Sequence, residues 1–137
     1  MNILFFLKPK SEVAYIYDTD TIRQTLEKME FHQYSAVPII NKTGNYVGTI
    51  TEGDILWAIK NDFSLNLQTA EDVQITRINR KLDNTPVFAN SNIEDLISKS
   101  MNQNFVPVID DNNIFIGIIT RKDIIQYCYK NIKAKHC

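Results

Sequence analysis

The sequence predicts an α+β fold in which one strand–helix–strand–strand–helix unit occurs twice. Two observations carry this. Val37-Pro-Ile-Ile recurs as Val106-Pro-Val-Ile, and Gly48-Thr-Ile-Thr-Glu-Gly-Asp-Ile recurs as Gly117-Ile-Ile-Thr-Arg-Lys-Asp-Ile, each 69 residues later. Without gaps, residues 37–55 match 106–124 at eight of 19 positions, where chance gives about one. Further upstream the offset becomes 71, aligning Ile22 and Leu26 with Ile93 and Ile97. The copies span about 13–60 and 84–130, joined by residues 61–83, which are rich in Asn, Asp and Gln.

Taken in order, the apolar run 1–7 ends at Lys8-Pro-Lys10 after one or two helical turns and reads as a packing or dimer-contact segment. Val13 to Tyr17 is β-prone. Ile22, Leu26 and Met29 recur at i, i+4 and i+7, the stripe of an amphipathic helix. Asp20 is placed to cap that helix, and its counterpart Ser91 forms a capping box with Glu94. Val37-Pro-Ile-Ile is a strand with its proline near the start or on an edge. Asn41-Lys-Thr-Gly-Asn45 is a hairpin turn from which Tyr46 to Ile50 returns. The last helix carries Ile55, Leu56 and Ile59, matched by Ile124, Ile125 and Cys128. Each copy has little apolar surface of its own, so the expectation is two copies packed around one shared core.

Composition narrows the function. At 137 residues the chain suits one domain, and 44% hydrophobic residues can build an ordinary core. Fifteen Lys and Arg balance 16 Asp and Glu, leaving no global field for nucleic acid or anionic membrane. Any anion site must come from local charge. Cys128, Cys137, His32 and His136 lack partners at ligand spacing, which excludes a disulfide framework or a metal site and makes each an ordinary side chain. No signal peptide or spanning segment is apparent, so the expected compartment is the cytoplasm. No Ser-His-Asp, Cys-His or P-loop pattern is present, so an enzyme is not expected. Trp57 reads as buried rather than catalytic.

The Val-Pro before a hairpin and the Gly-x-Ile-Thr-x-x-Asp-Ile opening the last helix, both in duplicate, closely resemble the cystathionine-β-synthase-type (CBS) repeat family. Its paired repeats form a Bateman module. The resemblance covers nearly the whole chain. It implies two β-α-β-β-α units related by a pseudo-twofold axis, with clefts binding adenosine-containing ligands, and a homodimer. It also implies a regulatory role exerted on a partner protein, with no cofactor required. Each cleft in the family combines the first strand and pre-proline residues of one repeat with the Thr-x-x-Asp of the other.

Mapped here, the favoured cleft comprises Val13, Ala14, Tyr34, Ser35, Ala36, Pro38, Thr120, Arg121, Lys122 and Asp123. A carboxylate there accepts from ribose hydroxyls, while the threonine and first-turn N–H groups meet a phosphate. Arg121 and Lys122 add two cations to the helix dipole. Lys8 and Lys10 stand just before the first strand, where they either add potential or remain solvated. Val13, Pro38 and Ile39 offer an apolar wall, and Tyr34 either stacks on a base or simply packs. The weaker cleft comprises Thr51, Asp54, Thr85, Pro86, Asn104 and Phe105. There Glu52 and Gly53 oppose an anion, and Phe105 takes the place of small Ala36. Both Thr-x-x-Asp pairs are also accounted for as helix caps alone, which leaves a ligand-free interaction module as an alternative.

Small stand-alone cyclic di-AMP-binding CBS proteins resemble this chain at Ser11-Glu-Val-Ala, Tyr34-Ser-Ala-Val-Pro and Thr120-Arg-Lys, which makes cyclic di-AMP the leading ligand. Asp123 suits the free ribose diol of AMP, ADP or ATP, and these stay the rivals.

Overall fold

The computed structural model describes residues 2–62, 64–80 and 83–135. Its elements are β1 (Lys8–Pro9), β2 (Ile16–Tyr17), α1 (Ile22–His32), β3 (Ala36–Ile40), β4 (Tyr46–Thr51) and α2 (Glu52–Asn61), then β5 (Val87–Phe88), α3 (Ile93–Ser100), β6 (Phe105–Ile109), β7 (Phe115–Thr120) and α4 (Arg121–Lys135). Short 3-10 turns occupy Ile3–Phe6, Lys10–Glu12 and Ile75–Arg77. The chain falls into two compact units, Ala14–Asp83 and a second that joins the residues up to Val13 to those from Asn84 onward.

In the first unit the sheet order is β2-β3-β4, with β2 parallel and β4 antiparallel to β3. Only Ile16 and Tyr17 of the expected strand 13–17 are in the ladder, opposite Ile39 and Ile40. The next partner back would be Pro38, which has no N–H to give. Val13 instead closes a turn onto the Lys10 carbonyl. Pro38 is therefore the third residue of a middle strand rather than near a start or on an edge. The early end of β2 makes that possible.

The caps lie one residue beyond their expected places. Thr21 accepts from Gln24 N, and Gln24 returns to Thr21 N, at 3.1 and 2.8 Å. Asp20 instead accepts from Tyr17 N, closing the turn after β2. Likewise Asn92, not Ser91, caps α3 by accepting from Asp95 N, while Ser91 N donates to the Phe88 carbonyl. Gln33, in the left-handed region at φ 57°, ends α1. The expected hairpin turn is present: Asn41 Oδ1 accepts from Thr43 N and Asn45 N. Asp110 repeats this with Asn112 N and Ile114 N.

The second unit has the order β1-β7-β6-β5. β5 and β6 repeat the β2–β3 pairing, Val87 opposite Val108, and β6–β7 repeats the hairpin. The addition is β1, antiparallel to β7 with Lys8 opposite Ile118 and Pro9 opposite Gly117. Gly117 is at φ +153°, and a Cβ there would meet the Lys8 carbonyl oxygen at 2.1 Å. Only glycine lets this arm come so close.

The described residues form two cores, not one shared core. Ile16, Ile22, Met29, Val37, Ile39, Ile50 and Ile55 are joined by Leu65, Ala70, Ile75 and Ile78 from the connector. Val87, Leu96, Val106, Val108, Ile119 and Ile124 are joined by Ile3, with Phe6 and Leu7 packed alongside. Each repeat thus completes its core with residues from outside its own motif. Ile3 is fully buried and packs with Phe6 and Leu7 on this core, as a packing segment requires, whereas Leu4 and Phe5 are exposed and Met1 lies outside the described residues. The connector also serves α1, whose Ile22 and Arg23 N–H groups donate to the Val73 and Ala70 carbonyls.

Along α2, Ile55 faces the core and Ala58 and Ile59 pack against it, leaving Leu56 and Trp57 outside. Trp57, expected to be buried, is 46% exposed with Lys60 Nζ 5.7 Å from its ring. Ile125 on α4 is likewise exposed. Cys128 is a half-buried free thiol, whereas His136 and Cys137 lie outside the described residues.

Candidate functional site

Two helix starts with the same motif have been built differently. At α2, Asp54 N donates to Thr51 Oγ1 and Thr51 N donates to Asp54 Oδ2, both at 3.0 Å. This is a complete reciprocal box in which the carboxylate is engaged by its own backbone, and Asp54 is only 9% exposed. At α4, Asp123 N donates to Thr120 Oγ1 at 3.3 Å. The Asp123 carboxylate is half-buried and accepts no hydrogen bond among the described residues.

Charge follows the same division. Glu52 N is tied to the Ser35 carbonyl at 2.9 Å, and Arg121 N to the Asn104 carbonyl at 3.0 Å, so each helix begins against its own pre-proline residue. One start therefore presents an acid and the other a guanidinium followed by the exposed Lys122. Arg121 is held further by its Nε, which donates to the Gln103 carbonyl at 2.9 Å. A positioned cation beside an open carboxylate can receive a phosphate and a sugar hydroxyl together.

The remaining favoured residues divide between the units. Val13 belongs with Thr120, Arg121, Lys122 and Asp123; Ala14, Tyr34, Ser35, Ala36 and Pro38 belong with the first repeat. Pro38 is buried, Ala14 and Ala36 are half-buried, and Ser35 is exposed. Tyr34, 44% exposed, stacks on His32 with centroids 5.3 Å apart and planes 14° apart. It also borders a cavity of about 430 Å³ carrying Glu27, Glu30 and Glu52, a lining that repels anions.

In the weaker set the polar groups are occupied by one another. Thr85 donates through N and Oγ1 to Gln103 Oε1, and Lys99 Nζ donates to Thr85 Oγ1. Asn84 Nδ2 donates to Asn104 Oδ1 and to the Phe105 carbonyl. Pro86 is half-buried and Phe105 is 6% exposed, so the Phe105 ring fills its place.

Sequence reasoning missed Gln103. It is 8% exposed, and its Nε2 donates to the Thr85 and Phe105 carbonyls. With the bond its carbonyl takes from Arg121, it links the start of β6 to the start of α4. The signal was available, because the 69-residue offset carries Tyr34 onto Gln103.

Two β-α-β-β-α units, each with a Thr-x-x-Asp helix start after its hairpin, define a paired-repeat module. Residues 7–61 and 75–130 match the CBS domain, and the chain belongs to that family. It is similar to CbpB, in a crystal structure with c-di-AMP, at 28% identity and a TM-score of 0.84, covering 99% of this chain and 89% of that one. CbpB from Streptococcus agalactiae is 29% identical with a TM-score of 0.78, over 96% of this chain and 82% of the other. Among curated proteins, the uncharacterized protein MJ1225 of Methanocaldococcus jannaschii is 29% identical over 126 residues, 84% of this chain and 45% of its own. The chain spans 21% to 54% of the length of the first curated relatives it matches. Among the described residues, no helix is long and apolar enough to cross a membrane, and no group of three or more ligating side chains could hold a metal.

Proposed function

We propose that the chain is a non-catalytic sensor of an adenine nucleotide, cyclic di-AMP, bound at the start of α4. Thr120, Arg121, Lys122 and Asp123 receive phosphate and ribose. Val13, Ala14, Tyr34, Ser35, Ala36 and Pro38 complete the site, as the family's pairing of repeats implies. The observation that carries the reading is the contrast between the helix starts. The same carboxylate is engaged as a cap at Asp54 and open at Asp123, and only the second helix start carries cations of its own, Arg121 and Lys122, where the first has Glu52 and Gly53. The likeness to CbpB supports cyclic di-AMP. The second reading is AMP, ADP or ATP, favoured because an open carboxylate suits the adjacent hydroxyls of a free ribose. The signal leaves by contact with a partner protein in the cytoplasm. A homodimer forms through the exposed apolar residues of the last helices, Leu56 and Trp57 on α2 and Ile125 and Tyr129 on α4.

Calorimetric titration tests this directly. One site per chain is expected, and Arg121→Ala with Lys122→Ala weakens cyclic di-AMP more than adenosine. Two equal sites, or no binding of any adenine nucleotide, would overturn the assignment. Pull-down with and without ligand identifies the partner.

A further inference from the structure

Beside the open carboxylate lies a cavity of about 500 Å³, within the range of small-molecule sites. Phe5, Phe6, Lys8, Asp123, Tyr127 and Lys130 line it, so one wall is the N-terminal arm and the other is α4. Phe6 meets Tyr127 edge to face at 5.2 Å and fixes the arm against the helix. Phe5 is 84% exposed, so the arm leaves an aromatic face without cover at the rim. Lys8 and Lys130 form no ion pair among the described residues.

The first repeat supplies an internal control. The same offset places Asp54, Ala58 and Asn61 on Asp123, Tyr127 and Lys130, and these three line a cavity of about 320 Å³ together with Arg77 and Arg80. There the cations are neutralised: Arg77 Nη2 reaches Asp62 at 3.1 Å and Ser64 at 2.8 Å, and Arg80 Nε reaches Asp83 at 2.7 Å. Its carboxylate is a cap. In the first repeat the position thus has paired arginines, a capping carboxylate and Trp57 as its aromatic wall, whereas in the second the carboxylate and both lysines stand uncommitted among the described residues beside Phe5, Phe6 and Tyr127.

We infer that the arm cavity is a subsite for the second nucleotide of a dinucleotide whose first half occupies the start of α4. Phe5 takes the second base by stacking, and Lys8 with Lys130 takes its phosphate. Asp123 lies at the boundary and serves both halves. The subsite makes the module prefer a dinucleotide to a mononucleotide. This rests on the nucleotide reading above, and it assigns to the arm a selectivity that reading does not require.

The test is titration of cyclic di-AMP and of AMP into the full chain and into its Phe5→Ala/Lys130→Ala variant. Both side chains are exposed, so the unfolding midpoint stays where it is. Affinity for cyclic di-AMP falls about tenfold or more, the size of a lost base-stacking contact, while affinity for AMP stays within about twofold. If the variant binds cyclic di-AMP as the unaltered chain does, or loses both ligands equally, the subsite is refuted and the nucleotide site stands. If the unaltered chain binds neither ligand, both readings fall together.

Discussion

Replacing Asp54 with Ala and, separately, Asp123 with Ala sets the two copies against each other. Asp54 Oδ2 accepts the Thr51 N–H at 3.0 Å in a site only 9% exposed. Its removal takes away half of a capping box and leaves a donor poorly solvated. A lost cap costs about 0.5–2 kcal/mol, and a hydrogen bond to a charged group about 1.5–3, so about 2 kcal/mol is expected. Among the described residues Asp123 accepts no such bond, so it contributes mainly through the helix dipole, about 0.5 kcal/mol. For a chain of this length the melting temperatures should fall by about 8 °C and about 2 °C respectively. Urea unfolding with an unchanged slope would place both losses in the folded state. Saturating ligand reverses the order. At about 100 times the dissociation constant it adds about 2.7 kcal/mol to the unaltered chain. Asp54→Ala retains that gain, and Asp123→Ala loses most of it. If Asp123→Ala is as costly as Asp54→Ala and keeps the full ligand response, the two carboxylates do one structural job and the division between copies is refuted.

Other expectations follow from single contacts. Gln103→Ala leaves the Thr85 N–H and carbonyl without their partner and takes one of two side-chain donors from the Phe105 carbonyl, so urea unfolding should show a loss of about 2 kcal/mol; a loss under about 0.5 would mean that water replaces it freely. Gly117→Ala drives a methyl into the Lys8 carbonyl. It should speed hydrogen exchange at the arm amides near Ile3 and Lys8, and unchanged protection would show that β1 is not held there. Burial pushes the Tyr46 phenol above its ordinary value of 10.0, against the opposing effect of its hydrogen bond with Thr49. Both folded and unfolded phenols are protonated below that pH. Above it the unfolded chain releases its proton first, so stability declines by up to about 1.4 kcal/mol per pH unit. Tyr46→Phe should flatten the decline between about pH 10 and 11, and equal slopes would remove Tyr46 as its source. Leu56→Glu or Ile125→Glu should leave the monomer folded and lower the sedimentation coefficient, unless those faces take no part in pairing.

Features set by neighbouring residues were legible in the sequence. The repeat, the two hairpin turns and the order of elements all follow from local pattern, and Asn41 and Asp110 close their turns as that chemistry requires. Helix starts were read one residue early because Asp20 and Thr21 are both good caps, and only the turn onto Tyr17 decides between them. The first strand was read too long because β-propensity does not register the missing N–H of Pro38 on the facing strand. Leu56 and Ile125 look like core in any apolar count, yet spacing alone cannot say which of two adjacent apolar residues turns inward. Within the candidate site, the motif pairs were visible, but their unequal use was not. It depends on whether a carboxylate folds back onto a backbone N–H, which a shared Thr-x-x-Asp does not reveal. Gln103 escaped because a glutamine between a helix and a strand reads as a surface residue until its four partners are seen.

The pairing of residue 8 with residue 118 also has a bearing on time. Long-range antiparallel contacts are slow to form. At about 5–20 residues per second, synthesis leaves on the order of ten seconds between the two strands. During that interval Ile3, Phe6 and Leu7 have no core to enter, while Ala14–Asp83 already has all of its own. The two halves therefore mature in sequence, and the half that carries Asp123 is finished only when its earliest-made residues return to it. A chain stalled near residue 110 would display a complete first repeat and a sticky tail, a natural target for chaperones.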